Sequence, residues 1–523
     1  MTSTRLAVPV APPPVTRLPL AVAALVGLLS MAAGLAAGHL VGGFISPTAS
    51  PFLAVGGSAI DLTPLWLKDF AVRTFGSYDK VVLLSGMAVV VGLVGVVSGL
   101  LSRRSRTPGL VLLVALGAIA GVAVRSRPTA GPLDVLAPLV SLLVGAGVFV
   151  VLHRLGRLRL QPAGGPAAGV SRRTLLAGSA AVAAGTAVAA TGGQLVAGRG
   201  AVEASREALG RIVPTVPAPP IPRGADFAAD ASPTFITPNR DFYRVDVNLT
   251  LPRLRAEDWR LHIHGMVDRE VTLSWSDLTS RSLIERPVTM TCVSNEVGGP
   301  YISTSNFTGV LLADILREAG VHRGADQVFT TSVDGWTCGT PTSTLTDPGR
   351  QAMLVIAMNR EPLPIEHGFP VRMLVPGLYG FVSGTKWITD MELTTFDAQR
   401  AYWLERGWGQ RAPIKTMSRI DSPGPFARVR QDTPITGVAW AQTRGIENVE
   451  VRLDHGAWQP AELSTEVNVD TWRMFRLRGR WSPGSHVAEV RATDKAGYTQ
   501  AADRAAPIPD GASGWHSVQF TVL

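Results

Sequence analysis

The segment "IAMNREPLPIEHGFPVRMLVPGLYGFVSGTKWITDMEL" occupies residues 356–393. It begins and ends with β-like apolar runs, and the part between them contains too much Gly and Pro for a regular element. His367, Arg372 and Lys386 fall in that irregular part. Arg and Lys are common partners of phosphate, and Gly and Ser loops offer backbone donors to anions. Each of the three residues could be structural or a surface charge on its own, but together they indicate a ligand-binding loop.

The sequence around this segment predicts two further folded parts. Short β-like runs alternate with a few helical patches over residues 239–400, which predicts an α+β domain. Residues 410–523 contain period-two strands separated by Gly, Pro and Asp turns, a pattern typical of an immunoglobulin-like β-sandwich. The overall expectation is an α+β protein with a C-terminal β domain.

The first part of the chain is strongly apolar. Runs of roughly spanning length, about 20 residues, cover residues 18–45, 81–101, 109–124, 133–152 and 175–196. They predict a membrane domain of about five transmembrane helices over residues 1–197, joined by an Ala/Pro-rich linker, residues 198–238, that forms a stalk or a strap. The more polar segment 52–75 is expected to be a loop or an interfacial helix.

The positive charges predict the orientation of these helices. The net charge of +9 could indicate nucleic-acid binding, but many N-terminal arginines lie in short loops between apolar runs. Three arginine clusters are cytoplasmic if the N-terminus is inside: Arg5 with Arg17, Arg103 with its neighbours, and Arg154 through Arg173. Five crossings of the plasma membrane then place the C-terminal half outside the cytoplasm. "SRRTLLAG" from Ser171 fits a twin-arginine export signal and a simple positive-inside stop equally well.

Two cysteines, Cys292 and Cys338, allow at most one disulfide and exclude a disulfide-stapled scaffold. Cys292 follows the alternating run "PVTMT" and precedes the turn "VSNEVGG", so its thiol is expected at a strand end. That position suits a metal ligand or a nucleophile. A buried apolar role and a disulfide with Cys338 are the alternatives, and residue chemistry leaves them open.

Several of these motifs, taken in order, resemble the sulfite oxidase family of molybdenum-cofactor enzymes. They are "MTCVSNEVGG", "SVDGWTCGTP", the segment 356–393 and "GVAWAQTRGIENVEVRLDHGAWQPAEL". The resemblance covers roughly residues 239–523. It implies an α+β molybdopterin domain followed by an immunoglobulin-like domain that forms the dimer interface in relatives, and therefore a possible homodimer.

The resemblance also implies roles for particular residues. Cys292 matches the cysteine whose thiolate binds molybdenum, next to the dithiolene of one molybdopterin per chain. Trp336 stands where those enzymes have a tyrosine near the substrate. Pterin and phosphate contacts are implied for Asn239, Arg240, Phe242, Tyr243, Asp334, His367, Arg372, Ser383, Thr385 and Lys386. Cys338 is expected to be a local packing residue.

The chain departs from the sulfite-oxidising pattern after the cysteine. Sulfite oxidases have a run ending in paired arginines there, whereas this chain has "CVSNEVGG" with the acidic Glu296. Losing cations and gaining an acid weakens the binding of an anion by Coulomb terms alone. The expected activity is therefore a two-electron oxygen-atom transfer on a small molecule that need not be sulfite.

Two other functions fit the same residues. One is reduction of an S-oxide or N-oxide, as in methionine-sulfoxide reductase-like enzymes, and the other is a non-catalytic membrane-tethered binding module. No haem module and no nucleic-acid partner are expected, so electrons would pass to a separate cytochrome or quinone-linked partner. Membrane lipid is the remaining expected contact.

Overall fold

The computed structural model describes residues 17–46, 49–64, 67, 70–71, 74–75, 78–127, 130–158, 172–196, 199–247 and 249–523. Arg5, Ser171 and Arg159 lie outside the described residues. The chain divides into two compact units, one of residues 1–199 with 248–250 and one of residues 200–247 with 251–523.

The first unit is helical. Its helices are α1 (Leu20–Ile45), α2 (Pro51–Leu62), α3 (Asp79–Leu101), α4 (Thr107–Arg125), α5 (Leu136–Leu158) and α6 (Arg172–Val196). Among the described residues, five of these, all except the shorter α2, are long and apolar enough to cross a membrane. By length and composition the unit is therefore consistent with membrane association.

Small residues let the central helix α1 approach α3 closely. A Cβ added at Gly27 would lie 1.9 Å from the carbonyl oxygen of Gly95, and one added at Gly99 would lie 1.9 Å from that of Ala23. Neither position can hold a larger residue unless the helices separate. Close backbone approach of this kind is typical of helix pairs in membranes, where small residues replace the missing hydrophobic driving force.

The second unit begins with two sheets. The first has the order β2 (Val271–Ser274), β1 (Arg260–Gly265), β10 (Ile388–Thr394), β5 (Gln327–Ser332), β6 (Thr337–Pro341), and β1 and β10 are parallel. The second has the order β3 (Ile284–Thr291), β4 (Ile302–Leu311), β7 (Met353–Met358), β8 (Glu361–Pro362), with β9 (Arg372–Leu374) also paired to β7. The helices are α7 (Arg199–Ala208), α8 (Trp275–Thr279), α9 (Leu312–Ala319) and α10 (Thr342–Thr346).

These two sheets and helix α9 share one hydrophobic core. Leu261 and Ile263 of β1, Ile356 of β7, Met391 of β10 and Ile315 of α9 are all fully buried in it. Residues 200–238 contact this part of the same unit: Val202 belongs to one hydrophobic cluster with Phe242, and Val216 forms a β-bridge with Ile284. The role of this linker as a stalk or a strap stays a prediction.

Two further sheets form the C-terminal part. One has the order β11 (Met417–Ser422), β13 (Ile435–Trp440), β17 (Arg473–Leu477), β16 (Glu462–Leu463). The other has the order β12 (Arg428–Val429), β19 (His516–Val522), β18 (Gly484–Asp494), β14 (Ile446–Leu453), β15 (Gln459–Pro460). Apolar residues from both, among them Phe475 and Phe520, form one shared core. We call residues 410–523 the two-sheet region.

Candidate active site

Cys292 lies at the mouth of the hairpin formed by β3 and β4. Its backbone N–H donates to the carbonyl of Tyr301 at 3.0 Å, one step beyond the last strand pair, Thr291 with Ile302. Its Sγ atom lies 2.9 Å from the hydroxyl of Ser294. Cys292 is partly exposed and is not in a disulfide, and neither is the buried Cys338. The disulfide alternative is therefore wrong, and Cys292 lies at the strand end that the sequence predicts.

The surroundings of Cys292 have opposing effects on the pKa of its thiol. Burial raises the pKa of Cys292, while hydrogen bonds from Ser294 and the positive charge of Lys386 lower it by smaller amounts. The thiolate is therefore not the resting form of this side chain without a cation next to the sulfur. A bound metal ion supplies such a charge, because metal coordination deprotonates a thiol.

Aromatic residues line the approach to Cys292. The rings of Phe242 and Tyr243 are stacked with centroids 5.4 Å apart, and Phe242 meets the ring of His367 edge to face at 5.3 Å. The ring of Tyr243 also lies 6.3 Å from that of Tyr301. Burial raises the pKa of Tyr243, so its hydroxyl stays protonated. This wall is mainly apolar and includes one phenolic hydroxyl, that of Tyr243.

Arg372 is a buried guanidinium whose hydrogen bonds go to backbone carbonyls. Only 4% of its surface is exposed, and its N–H groups donate to the carbonyls of His367 at 3.3 Å and Met373 at 3.5 Å. Among the described residues no ion pair joins Arg372 to a carboxylate, and burial lowers the pKa of Arg372 to about 10. A buried charge is costly unless it is paired. Arg372 therefore has the features of an anion-binding residue.

Two more cations lie near Arg372. Lys386 Nζ donates to the carbonyl of Glu366 at 2.9 Å and lies 3.5 Å from Asp246 Oδ2, and the same carboxylate accepts from Arg244 Nε at 2.7 Å. We call Arg244, Arg372 and Lys386 the cation cluster. Burial first, and then the charges of Lys386, Arg372 and Arg244, lower the pKa of His367 to about 3. His367 is therefore neutral at physiological pH, and its surroundings are electropositive.

The glycine-rich loop brings the backbone close to these cations. Gly368 has φ of 110°, and a Cβ there would lie 3.1 Å from the Cβ of Lys386. The left-handed backbone at Gly368 favours glycine, and the close approach leaves no room for a side chain. A Cβ at Gly384 would lie 3.0 Å from the carbonyl oxygen of Gly380 and 3.5 Å from a guanidinium nitrogen of Arg372. The "EHGFP" and "SGTKW" motifs are thus folded against each other.

Ser383 and Thr385 are buried in the same loop. The Ser383 hydroxyl donates to the carbonyl of Tyr379 at 2.9 Å, and the Thr385 hydroxyl lies 2.6 Å from that of Thr330 on β5. Met373 on β9 donates its backbone N–H to the carbonyl of Thr385 at 2.8 Å. These bonds attach the loop to β5 and β9. Because the observed contacts are all within the protein, the roles of both hydroxyls in ligand binding stay predictions.

The remaining predicted residues make other contacts. The Asn239 amide donates to the carbonyl of Met358 and to Glu361, and Arg240 is 85% exposed and pairs with Asp241 at 3.4 Å. Asp334 closes the β5–β6 turn by accepting from the backbone N–H of Trp336 at 2.9 Å. Their assignment to the cofactor and the substrate stays a prediction.

The structure adds residues that the sequence did not indicate. Arg244 and Asp246 join the site from the segment after "TPNRDFY", where Arg244 follows Tyr243 directly and could have been noticed. The loop after Cys292 is held by the two-sheet region, because Arg419 donates to the carbonyl of Gly299 at 2.8 Å and the His516 ring lies against Gly298. These long-range contacts leave no signal in a single sequence.

Together these residues fit an anionic cofactor with a soft-ligated metal. The cation cluster suits a phosphate, the aromatic wall of Phe242 and Tyr243 suits a heterocycle, and the Cys292 thiol suits a metal such as molybdenum. The strongest evidence for this fit is Arg372, whose buried charge forms no ion pair with a carboxylate within the described residues.

Comparisons with known proteins agree with this site. Residues 248–403 match the family described as the oxidoreductase molybdopterin binding domain. Mitochondrial sulfite oxidase from Mus musculus is 29% identical over 343 residues, which cover 55% of this chain and 62% of that protein. The NADPH nitrate reductase of Emericella nidulans is 33% identical over 295 residues, covering 46% of this chain and 33% of that protein.

Among solved structures, the sulfane dehydrogenase SoxCD from Paracoccus pantotrophus is 23% identical with a TM-score of 0.46, covering 54% of this chain and 79% of that chain. The match to the mouse enzyme spans less than two thirds of its length. The chain carries an oxidoreductase molybdopterin-binding domain, and it is similar to sulfite oxidases over about half of its length.

Proposed function

We propose that this protein is a membrane-anchored oxidoreductase that acts outside the cytoplasm and transfers an oxygen atom and two electrons at a single molybdenum–molybdopterin centre. The observation that carries the proposal is the buried Arg372, unpaired with any carboxylate of the described residues, in the same site as the strand-end Cys292. The bound cofactor supplies the two-electron chemistry.

The residues of the chain bind and orient that cofactor. Cys292 holds the metal through its sulfur, and Ser294 donates to that sulfur. Arg372 and Lys386 bind the cofactor's phosphate, while Asp246 keeps Lys386 and Arg244 in place. His367 stays neutral, so it can donate one N–H and accept one hydrogen bond from the pterin.

The first test measures molybdenum in the detergent-purified full chain. We expect stoichiometric metal in the natural protein and turnover at background level in Cys292→Ser, with the pterin largely retained through the cation cluster. Cys338→Ala is the control, because this buried thiol is held near Thr340 and Thr385 away from solvent. A natural protein without molybdenum would instead support a non-catalytic binding module.

The substrate proposal rests on the loop after Cys292. Glu296 in that loop is exposed, and the motif has no arginine pair. We propose that sulfite is a poor substrate and that an S-oxide or N-oxide, a neutral acceptor of electrons, is the alternative. Sulfite oxidation and oxide-dependent oxidation of a reduced dye, assayed side by side, separate the two reactions. Efficient sulfite oxidation would contradict the proposal.

The topology proposal rests on the helices and the arginine clusters. Five helices could cross a membrane, and Arg103, Arg104 and Arg106 in the loop between α3 and α4 favour the cytoplasmic side for that loop, which supports a second unit outside the cytoplasm. A reporter fused after Leu523 that is active only outside the cytoplasm is the expected result. Activity only in the cytoplasm would reverse the orientation.

We also propose that residues 410–523 are an immunoglobulin-like dimerisation domain. Support comes from the two sheets that share one core, with Phe475 and Phe520 fully buried between them. Mass measurement of the detergent-solubilised protein is the test, with a dimer expected. Electrons would pass to a separate cytochrome or quinone-linked partner.

A further inference from the structure

Two histidines and an aspartate meet on the solvent-facing side of the first sheet of the second unit. His262 and His264 alternate along β1 with Leu261 and Ile263, which are fully buried in the core. Because side chains alternate across a strand, both histidines project from the opposite face. Asp390 stands directly beside His262 on the parallel neighbour β10. All three side chains are partly exposed, with 28–43% of each accessible.

The ligand atoms lie close enough for one ion to be shared among them, although His264 Nε2 is also within hydrogen-bond distance of both Asp390 oxygens. His264 Nε2 lies 3.0 Å from Asp390 Oδ2, while His262 Nδ1 lies 3.8 Å from the same oxygen, which is too long for a hydrogen bond. One ligand atom from each residue lies within 4.8 Å of the others. Metal–ligand bonds of about 2.0–2.2 Å in a tetrahedral site place ligand atoms about 3.4 Å apart, which lies between the two observed distances.

A fourth residue sets the tautomer that such a site requires. Glu270, in the turn between β1 and β2, lies 3.2 Å from His262 Nε2. When Nε2 carries the proton and donates it to Glu270, the lone pair of Nδ1 faces Asp390. A carboxylate behind a ligating histidine is the usual arrangement in metal sites, because it orients the ring and raises its basicity. The stacked rings of His262 and His264, 4.5 Å apart, hold both imidazoles on one side.

The cluster is separate from the cofactor site. On β10, Asp390 faces solvent, whereas the next residue, Met391, is fully buried and pairs with Thr330. The hydroxyl of Thr330 is the one that contacts Thr385 in the cofactor loop. The sheet thus has the histidine cluster on one face and the support of the cofactor loop on the other.

We propose that His262, His264 and Asp390 bind a divalent first-row cation of the zinc class, with Glu270 orienting His262 and water completing the coordination. Two imidazoles and one carboxylate favour Zn²⁺, Co²⁺, Ni²⁺ or Cu²⁺ over Mg²⁺ and Ca²⁺, which prefer oxygen ligands alone. Partial exposure of all three side chains gives the ion a path from solvent and leaves a coordination position open.

Titration of the full-length, untagged protein with Zn²⁺ tests the proposal by calorimetry, and Co²⁺ gives an independent reading through its visible absorption. We expect one ion per chain. His264→Ala should abolish binding, and Glu270→Gln should weaken it about tenfold by loss of the orienting carboxylate. His322→Ala is the matched control, since His322 pairs with a single carboxylate, Asp268, at 3.1 Å; its titration should be unchanged.

Two results would overturn the proposal. One is the absence of binding at millimolar Zn²⁺, and the other is binding that His264→Ala leaves intact. Molybdenum content and the thermal unfolding midpoint of each variant, measured in parallel, check that the fold is intact. Asp390→Asn, which keeps the size of the side chain, repeats the test if His264→Ala does not fold, and it too should reduce zinc affinity.

Discussion

The cofactor site and the two-sheet region differ in how the charge of an arginine is balanced. In the two-sheet region, Arg444 Nε donates to Asp494 at 2.8 Å, and that carboxylate has only 1% of its surface exposed. In the cofactor site, Arg372 is more deeply buried than Arg444, yet its recorded hydrogen bonds go to two backbone carbonyls. Both cations are held in place, but within the described part of the chain only Arg444 forms an ion pair with a carboxylate.

This difference separates a structural charge from a binding charge. Burying a cation costs several kcal/mol unless an opposite charge compensates it. In the two-sheet region the buried charge is the Asp494 carboxylate, and Arg444 compensates it within the fold, so the pair can stabilise this region. The buried charge of Arg372 has no such compensation among the described residues. We therefore attribute its burial to the binding of an anion that is not part of the polypeptide. Opposite effects of mutation are therefore expected at the two places.

The largest effect is expected for Arg372→Gln. Loss of a buried charge-assisted contact to phosphate costs about 3 kcal/mol, equivalent to about 100-fold weaker cofactor binding. Pterin released from the purified protein and measured by fluorescence should fall accordingly. In cofactor-free protein the same substitution should leave the unfolding midpoint equal or higher, because an uncompensated buried charge has been removed.

Arg430→Gln is the control for the change in net charge. Arg430 is 82% exposed and pairs with Asp432, which is 67% exposed, so pterin content and stability should both stay unchanged. The proposal is contradicted if cofactor-free Arg372→Gln unfolds at a clearly lower temperature than the cofactor-free natural protein. Arg372 would then stabilise the fold as Arg444 does, and the two sites would not differ.

A smaller effect, on stability alone, is expected for Asp494→Asn. Burial by itself raises the pKa of Asp494, but hydrogen bonds from Thr416 and Arg444 outweigh it, so the pKa lies below its usual value. Neutralising this side chain leaves Arg444 without its partner, at a cost of about 2 kcal/mol in the free energy of unfolding. Urea unfolding of the full chain measures it, and the pterin content should not change.

The pH dependence of this pair has a definite sign. Because the folded pKa of Asp494 is depressed, its contribution is present above the unfolded pKa of about 4 and is lost as the pH falls through the folded pKa. The natural protein should therefore lose more stability than Asp494→Asn on acidification. Asp432→Asn is the matched control, and equal acid sensitivity of Asp494→Asn and the natural protein would contradict the assignment.

The sequence predicted the composition of the cofactor site better than its charge balance. His367, Arg372 and Lys386 lie within one short segment, and Cys292 follows an alternating strand, so local patterns were sufficient to select them. The sequence could not show that Arg372 lacks an ion pair within the described part of the chain, since acidic residues such as Glu366 and Asp390 are close in sequence to the same loop. Only the fold shows that neither forms an ion pair with Arg372 among the described residues.

Contacts between residues far apart in the chain could also not be predicted from the sequence. His262 and His264 have the spacing of one strand face, but Asp390 joins them only because β10 pairs in parallel with β1 in a register that the sequence does not encode locally. The contact from Arg419 to Gly299 spans even more distant elements, and it positions the loop that follows Cys292.

The smallest effect is expected at His486, a histidine of the two-sheet region that is paired with a carboxylate. His486 has an acceptor at each ring nitrogen: Asp454 Oδ2 at 2.7 Å from Nδ1 and the carbonyl of Ser482 at 2.8 Å from Nε2. The Asp454 carboxylate, followed by the Ser482 carbonyl, raises the pKa of His486. The protonated imidazole donates to both, so the charged form stabilises the folded state.

A raised folded pKa fixes the direction of the pH effect. The contribution of His486 is fully present below its unfolded pKa of about 6.5 and is lost as the pH rises through the folded pKa. Urea unfolding of the natural protein should therefore show a loss of about 1 kcal/mol across that interval, and Asp454→Asn should remove it. His455→Gln, at a 73% exposed histidine paired with Glu489, should retain the loss. If the natural protein and Asp454→Asn respond to pH identically, His486 does not belong with the paired charges of this region, and the contrast with the cofactor site would then rest on Arg444 and Asp494 alone.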